Sequence, residues 1–290
     1  MHQKRWRPKT ARELNYFFKG RLEPLIGATA LGDITRFQLQ QQLNRLAEEG
    51  ASGSLVRKFR TWTKAVLDEA IEQRFLERNP ARKLAIPNTR PSCKRFLTVE
   101  EVCKLLGSLV HQRDRLIVRL FVLCALRRGE LFAFRWDDWQ GALLRVDESI
   151  VEGELGPTKT QGSTAHVAVP KSLQLELECW RTACGDVTPR DFMFASSRGT
   201  PLDGHNYLQR FLQPVAEKIG VPGLTFQALR RTFATLVQGK GNVKDAQAQL
   251  RHAHAATTLG IYTQAIPDSV AAAVEALDKE LAKKGKEAVQ

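Results

Sequence analysis

An arginine pair, two histidines and a tyrosine lie in one stretch near the end of the 290-residue chain. Arg230 and Arg231 begin a segment with a helical pattern, and His252, His254 and Tyr262 follow in that order. A phenol beside guanidinium and imidazole groups is typical of an oxygen nucleophile that acts on an anion. Because the guanidinium fork binds phosphate oxygens in pairs, the anion we expect is a phosphate.

The positive charge is concentrated in the first third of the chain. The protein carries 44 Lys and Arg against 31 Asp and Glu, a formal net charge of +13, and residues 1–97 hold 20 of the basic and 9 of the acidic residues. The basic excess is therefore 11 in residues 1–97 and 2 in residues 98–290. This asymmetry indicates a nucleic-acid-binding domain, and a basic surface that serves only solubility is the alternative.

The cysteines and the hydropathy pattern indicate the compartment. Five cysteines occur without CxxC or Cys/His ligand spacing, and several lie among apolar residues. The chain starts without an apolar leader and contains no uncharged apolar run of about 18 residues. We therefore expect a cytoplasmic, nucleoid-associated protein with reduced thiols and no contact with a membrane.

Residues 11–87 have a helical pattern throughout. One helix is predicted after a cap at Asp33 or Thr35, and the next after a cap at Ser52 or Ser54. The apolar stripe of the second helix is predicted at Leu55, Phe59, Trp62, Val66 and Ala70.

Three cations, Arg57, Arg60 and Lys64, share another face of this second helix. Because no acidic residue is interleaved before Asp68, we expect this face to contact DNA phosphates. An ordinary solvated face is the alternative. Residues 1–10 form a basic arm that either touches DNA or is merely a tail.

Pro80, Pro87 and Pro91, with several cations, end the helical pattern, so a linker is predicted at residues 88–97 and a second domain at 98–265. Thr98 and Glu101 have the spacing of a capping box at its first helix. A buried helix is expected at 115–126 and a short helix at 131–139. Residues 142–169 alternate like strands, which predicts a small antiparallel sheet with Lys159 in or near a hairpin. A tail helix completes the chain at 266–290.

Four segments resemble, in order, the motifs of the tyrosine recombinases of the phage-integrase type, and the likeness spans residues 12–265. The first arginine box resembles CALRRGELFAFRWDDW, with its arginine at Arg127 and its acidic residue at Glu130. The hairpin of the catalytic lysine resembles PTKTQGSTAHVAVP, with Lys159. The second box resembles LTFQALRRTFATL, and the last resembles QLRHAHAATTLGIYTQ. These place the second arginine at Arg230, the histidine at His252 and the nucleophile at Tyr262.

The resemblance implies a mainly α (α+β) fold that clamps duplex DNA in a C shape. A helical, SAM-like core-binding domain would occupy 11–87, and a mixed α/β catalytic domain with a small antiparallel sheet would occupy 98–265. The enzyme would cleave and rejoin DNA through a 3′-phosphotyrosine, so that neither ATP, a metal nor another cofactor is needed. Each residue has an ordinary alternative: surface ion pairs for the arginines, a solvated turn for Lys159 and a core position for Tyr262.

Distinct roles follow for the residues at the matched positions. Arg127 and Arg230 would bind the non-bridging oxygens of the phosphate, and Lys159 would protonate the leaving 5′-oxygen. His252 would donate a hydrogen bond to the phosphate, and Glu130 would orient an arginine. His254, Tyr16 and Tyr207 are interpreted as surface or structural residues.

Gln227 departs from the family pattern, which has histidine at this position of the second box. Glutamine can donate a hydrogen bond to a phosphate but cannot act as a general base. We therefore expect slower or altered chemistry. A catalytically impaired DNA-binding relative and a type IB topoisomerase-like enzyme are the two alternatives.

The family implies double-stranded DNA as the partner, with a homotetramer on DNA and a monomer when free. Accessory DNA-bending proteins and docking of the tail helix on a neighbouring protomer are further possibilities, and packing of that helix on its own domain is the alternative. The target site stays open, as does the choice among integration, excision and resolution.

Overall fold

The computed structural model describes residues 8–89, 95–157, 165–238, 248–251 and 268–287. The chain divides into two compact units, Met1–Cys93 and Lys94–Gln290. The division lies inside the segment 88–97 that the prolines mark as a linker. Each unit has its own hydrophobic core.

The first unit is helical. Its helices are α1 (Pro8–Phe17), which continues through a π-helical turn at Phe18–Leu22, α2 (Glu23–Ile26), α3 (Arg36–Glu48) and α4 (Gly53–Glu72), with a 3-10 turn at Leu31–Asp33. The side chain of Thr35 accepts a hydrogen bond from the Gln38 amide at the start of α3, and Ser52 does the same for Leu55 at the start of α4. Of the candidate caps, Thr35 and Ser52 are therefore the ones used.

The buried stripe of α4 is rotated from the predicted one. The buried residues of α4 are Gly53, Val56, Phe59, Thr63 and Leu67, and of the predicted stripe Phe59 alone is fully buried. The remaining predicted residues are half-buried at the margin of the core. Packing against α1 and α3 determines which face of α4 is buried in the core. The periodicity of α4 alone does not specify that face.

The second unit holds the remaining elements. Its helices are α5 (Val99–Ser108), α6 (Gln112–Cys124), α7 (Arg128–Leu131), α8 (Lys171–Ala183), α9 (Gly204–Tyr207), α10 (Gln213–Lys218), α11 (Phe226–Gln238) and α12 (Asp268–Glu287). A 3-10 turn covers Trp136–Asp138, and a π-helical turn at Leu208–Leu212 joins α9 to α10. Thr98 and Glu101 form the predicted capping box of α5.

The region after α6 differs from its prediction. The buried helix ends at Cys124, because Ala125 adopts the left-handed conformation with φ 51°. The short helix then starts at Arg128, and the predicted helix at 131–139 is wrong. This segment pairs instead with a distant loop. The amide of Trp136 donates to the carbonyl of Asp191, and the amide of Met193 donates to the carbonyl of Phe134.

The strands form two small antiparallel sheets. They are β1 (Trp139–Gln140), β2 (Leu143–Val146), β3 (Glu148–Val151), β4 (Glu154–Pro157) and β5 (Ala165–Ala168). One sheet has the order β1-β2-β5, and β3 pairs with β4 in the other. In the register of β2 and β5, Val146 lies opposite Ala165. The β3–β4 hairpin is therefore an excursion between two neighbouring strands.

The tail helix α12 packs on its own unit, against α5, α6 and α11. Val274, Leu277 and Leu281 are buried in the main core. Asp278 is also buried, where it accepts hydrogen bonds from Arg119 and Ser172. Intramolecular packing is thus the arrangement found in the single chain.

Two of the four cysteines that the structure describes are buried. Cys103 and Cys124 are buried thiols, and Cys179 and Cys184 are exposed.

Tyr207 is buried, with its hydroxyl donating to Asp114 at 2.9 Å. None of the helices within the described ranges is both long and apolar enough to cross a membrane.

Candidate functional site

Arg127 lies at the N-terminus of α7, where the backbone becomes extended after the left-handed turn at Ala125. Its amide and its guanidinium Nη1 both donate to the carboxylate of Glu130, each at 2.7 Å. The Arg127 side chain is nonetheless 48% exposed. Arg127 is therefore held by Glu130 at the start of α7 while about half of its side chain remains accessible to solvent.

Glu130 is the buried anion of the site, with its side chain only 4% exposed. It accepts from Arg127 and also from Nη2 of Arg251 at 2.6 Å. Burial alone would raise the pKa of Glu130, but Arg251 and the Arg127 amide and guanidinium hold this pKa below its ordinary value. Glu130 is therefore ionised at neutral pH.

Arg230 approaches from α11, on the opposite side of the same turn. Its neighbours Leu229 and Phe233 are buried in the core, and Arg230 itself is only 3% exposed. Nη1 donates to the carbonyl of Ala125 and Nη2 to the carbonyl of Leu250. Burial, followed by the charges of Arg127 and Arg251, lowers the pKa of Arg230 to about 9. Arg230 thus remains a cation at pH 7, but its charge is only partly compensated.

Arg251 is a member of this cluster that the sequence analysis did not assign. It has φ 51°, and its side chain is 10% exposed and ion-paired with Glu130. Arg127 in turn donates from Nη2 to the Arg251 carbonyl at 3.3 Å. The signal in the sequence is its place directly before His252 in the last box, where only the histidine received a role.

Within the described residues the structure brings together three guanidinium groups, Arg127, Arg230 and Arg251, around the single carboxylate of Glu130. Their formal charges leave an excess of two positive units. Unpaired buried charge is costly, and planar guanidinium groups bind tetrahedral oxyanions well. The arrangement is therefore a site that can hold an anion beside the partly exposed side chain of Arg127.

The other predicted site residues are placed as follows. Gln227 is exposed on α11, one turn before Arg230. Lys159, His252 and Tyr262 lie outside the described residues, as does His254. Arg231, the second arginine of the pair, donates instead to the carbonyl of residue 95 at 2.9 Å.

The three cations of α4 are unequal in their surroundings. Arg57 is exposed, and Lys64 is exposed beside Asp68 at 3.7 Å. Arg60 is half-buried, with its Nε buried and without a hydrogen-bond partner among the residues described. The rotated stripe explains this difference, because Arg60 stands one turn from Val56 and Thr63 on the buried side.

Fold and site together define a two-unit α/β protein with an arginine-rich anion site in its second unit. The model of the phage integrase family matches residues 95–268, and that of the phage integrase central domain matches residues 1–86. The chain therefore belongs to the phage integrase family, and it is an enzyme of the tyrosine recombinase class.

Curated relatives agree with this membership. The tyrosine recombinase XerC-like protein of Caldanaerobacter subterraneus subsp. tengcongensis is 27% identical over 280 residues, which cover 84% of this chain and 71% of that protein. The integrase of Shigella phage Sf6 is 27% identical over 91% of this chain and 68% of its own length. The ICEBs1 integrase of Bacillus subtilis is 32% identical over 52% of this chain and 43% of its own length.

Solved structures show the same fold. The Tn1549 transposon integrase, in complex with a circular intermediate DNA, has a TM-score of 0.75 at 20% identity and covers 95% of this chain and 96% of its own. A lambda integrase dimer bound to a core site has a TM-score of 0.69 at 21% identity, with 86% and 89% covered.

Proposed function

We propose that this chain is a site-specific DNA recombinase, an integrase that cleaves and rejoins DNA strands through a 3′-phosphotyrosine intermediate. The observation that carries the proposal is the pairing of Arg127 and Arg251 with the buried carboxylate of Glu130, with the buried Arg230 held against the same backbone turns. The partly exposed side chain of Arg127 gives a phosphodiester a place to bind beside an uncompensated positive charge.

The reaction follows from the residue roles that the family motifs imply. The Tyr262 oxygen attacks the scissile phosphorus, the bond from phosphorus to the 5′-oxygen breaks, and a tyrosyl ester to the 3′-phosphate forms. Lys159 gives its proton to the departing 5′-oxygen, while Arg127 and Arg230 bind the non-bridging oxygens and His252 donates a hydrogen bond to them. The ester conserves the energy of the phosphodiester, so the scheme consumes no ATP and uses no metal or other cofactor.

The partner we propose is double-stranded DNA carrying recombination sites. Residues 11–87 would bind it chiefly through backbone phosphates, with contributions from Arg57, Arg60 and Lys64, and residues 98–265 would carry the chemistry. The Tn1549 and lambda integrases are bound to DNA in their structures, and one lambda structure is a tetramer on a Holliday junction. We propose the same assembly here: a homotetramer on DNA formed from free monomers, with DNA-bending proteins as possible accessories.

The experiment that tests the proposal is covalent trapping. Duplexes bound by the protein are first selected from a random library, and the selected site is then nicked beside the cleavage position. Strand cleavage there releases a short oligonucleotide and leaves the protein joined to DNA, which a denaturing gel detects. The wild type and Tyr16→Phe, a matched change at a tyrosine that is 81% exposed, should form the adduct, and Tyr262→Phe should not.

Each other outcome has a definite meaning. An adduct that survives Tyr262→Phe refutes the assignment of the nucleophile. DNA binding without any adduct at any pH indicates the catalytically impaired relative, for which Gln227 would be the first place to look. Relaxation of supercoils without exchange between sites indicates a topoisomerase IB-like enzyme.

A further inference from the structure

Arg251 is held in a conformation that arginine rarely adopts. Its φ of 51° lies in the left-handed region, which costs a residue with a side chain on the order of 1 kcal/mol. The preceding carbonyl, that of Leu250, accepts from Arg230, and the Arg251 carbonyl accepts from Arg127. Arg127 and Arg230 therefore both hold the backbone around Arg251 by hydrogen bonds.

The side chain of Arg251 competes with Arg127 for the same anion. Glu130 gives one carboxylate oxygen to the Arg127 guanidinium, and its other oxygen accepts from the Arg127 amide and from Arg251 Nη2. Without Arg251, the whole charge of Glu130 would neutralise Arg127. With Arg251 present, that charge is shared between two guanidinium groups.

One nitrogen of Arg251 is not explained by packing. Nη1 is buried and has no hydrogen-bond partner among the described residues. A buried donor left unsatisfied costs about 1–3 kcal/mol, and more when it is charged. Within the described residues, Arg251 therefore combines a left-handed backbone with a buried donor that no contact of the core accounts for.

We propose that Arg251 is a positioning residue of the strand-cleavage site, which binds Glu130 so that Arg127 keeps its positive charge for the phosphate. This inference rests on the proposed function. The local charge from Arg127, Arg230, Arg251 and Glu130 is two positive units with Arg251 and one without it.

The larger charge suits the transition state more than the ground state. A phosphodiester carries one negative charge, and as the bond from tyrosine to phosphorus forms and the bond to the 5′-oxygen breaks, further charge collects on the oxygens around phosphorus. Arg251 should therefore accelerate cleavage of bound DNA and contribute little to DNA affinity, because affinity is spread over many phosphate contacts. Burial and then the charges of Arg127 and Arg251 lower the pKa of Arg230, and burial and the charge of Arg127 lower that of Arg251, which agrees with the short contacts that couple the cluster.

The key variant is Arg251→Gly, because glycine adopts φ 51° without strain and removes only the side chain. Its rate of adduct formation at saturating nicked DNA should fall roughly 10- to 100-fold, the scale known for residues that orient ligands of a site. Its Kd for DNA should stay within about twofold, as expected when only a transition-state interaction is lost. Arg251→Lys keeps the charge and should recover part of the rate.

A double variant tests the charge balance directly. Glu130→Gln with Arg251→Gly restores the excess of two positive units, so the double variant should lose less than the two single losses combined. If Arg251→Gly is unfolded at the assay temperature, as judged by thermal unfolding, Arg251→Gln replaces it, because the amide can still donate to Glu130 without a charge.

The outcomes separate this inference from the proposed function. An absent wild-type adduct contradicts the proposed function itself. A normal wild-type adduct with an equally fast Arg251→Gly adduct overturns the role of Arg251 alone. Two further results would overturn that role. One is an Arg251→Gly variant that loses DNA affinity or stability but cleaves bound DNA at the normal rate. The other is an Arg251→Lys variant that forms the adduct no faster than Arg251→Gly.

Discussion

Glu130 links two backbone segments that are far apart in the sequence, and this link depends on its carboxylate being ionised. Its partners Arg127 and Arg251 stand 3 and 121 positions away along the chain. Both arginines are bound through short charge-assisted hydrogen bonds, of 2.7 and 2.6 Å. The carboxylate is therefore a structural requirement of the site as well as an electrostatic one.

Glu130→Gln should destabilise the protein, because removing one partner of a buried ion network leaves uncompensated charge. The expected loss in the free energy of unfolding is about 3–5 kcal/mol, measured by denaturant titration at pH 7. Glu178→Gln, at an exposed position of α8, is the matched control and should change little.

The difference in stability between the wild type and Glu130→Gln should depend on pH, with a sign that follows from the pKa of Glu130. Because the folded pKa of Glu130 is depressed, its stabilisation is present above the ordinary carboxyl pKa of about 4.3 and is lost as pH falls toward the folded pKa. The difference in stability between wild type and Glu130→Gln should therefore shrink below about pH 4. A difference that grows on acidification would contradict the ionised state of Glu130.

The motifs predicted part of the site residue by residue. Arg127, Glu130 and Arg230 were assigned from local sequence, and the structure brings all three together. Arg251 was missed because its role depends on a left-handed backbone and on a partner 121 positions away, neither of which leaves a periodic pattern. The structure leaves the catalytic roles of all these residues as predictions.

At the scale of elements, the close packing of α7 against β3 determines where the hairpin lies. A Cβ added to Gly129 would stand 2.4 Å from the carbonyl oxygen of Ile150, a distance that forces the backbone to move. Glycine at this position thus permits the contact, and the β3–β4 hairpin that leads toward residues 158–164 rests on the helix of Arg127.

Gly129→Ala should destabilise the second unit by about 1–3 kcal/mol, the usual cost of forcing atoms into a packed site. The better helix propensity of alanine offsets this by no more than about 1 kcal/mol. Gly156→Ala on β4, where nothing lies within 4 Å of the added atom, is the control. Equal unfolding midpoints for the two variants would show that the hairpin does not depend on the contact.

The tail helix contributes to the core of the unit it packs on. Leu277 is fully buried, so Leu277→Ala should cost about 2–5 kcal/mol of unfolding free energy. Leu175→Ala, at a leucine that is 63% exposed, should cost less than about 0.5 kcal/mol. Indistinguishable thermal unfolding of the two variants would mean that α12 is detached from its own unit in solution.

Element starts were predictable where one short segment decides them. The pair Thr98–Glu101 caps its helix as predicted, and Thr35 and Ser52 are each one of two candidate caps, because capping depends on a side chain and an amide three residues apart. The stripe of α4 and the start of α7 were misplaced, since tertiary packing selects the buried face and the turn at Ala125 resets the helix.

At the scale of the molecule, the excess charge of residues 1–97 should appear in how DNA binding responds to salt. Arg57→Gln should reduce the slope of log affinity against log salt by about one unit, as for one lost phosphate contact. Arg45→Gln is the control, because Arg45 is an exposed arginine of the same unit already paired with Glu49 at 2.8 Å. Equal slopes for the two variants would contradict a phosphate contact at Arg57.

Because Val146 pairs with Ala165, the segment between these two residues is separable from the three-stranded sheet. The chain leaves the sheet after Val146 and returns to the facing position at Ala165, so residues 147–164 close a loop whose ends already meet. A two-residue Asn-Gly turn can join such neighbouring antiparallel strands. Under the proposed function, a chain shortened in this way would lack the segment that bears Lys159 and would bind DNA through residues 11–87 without cleaving it.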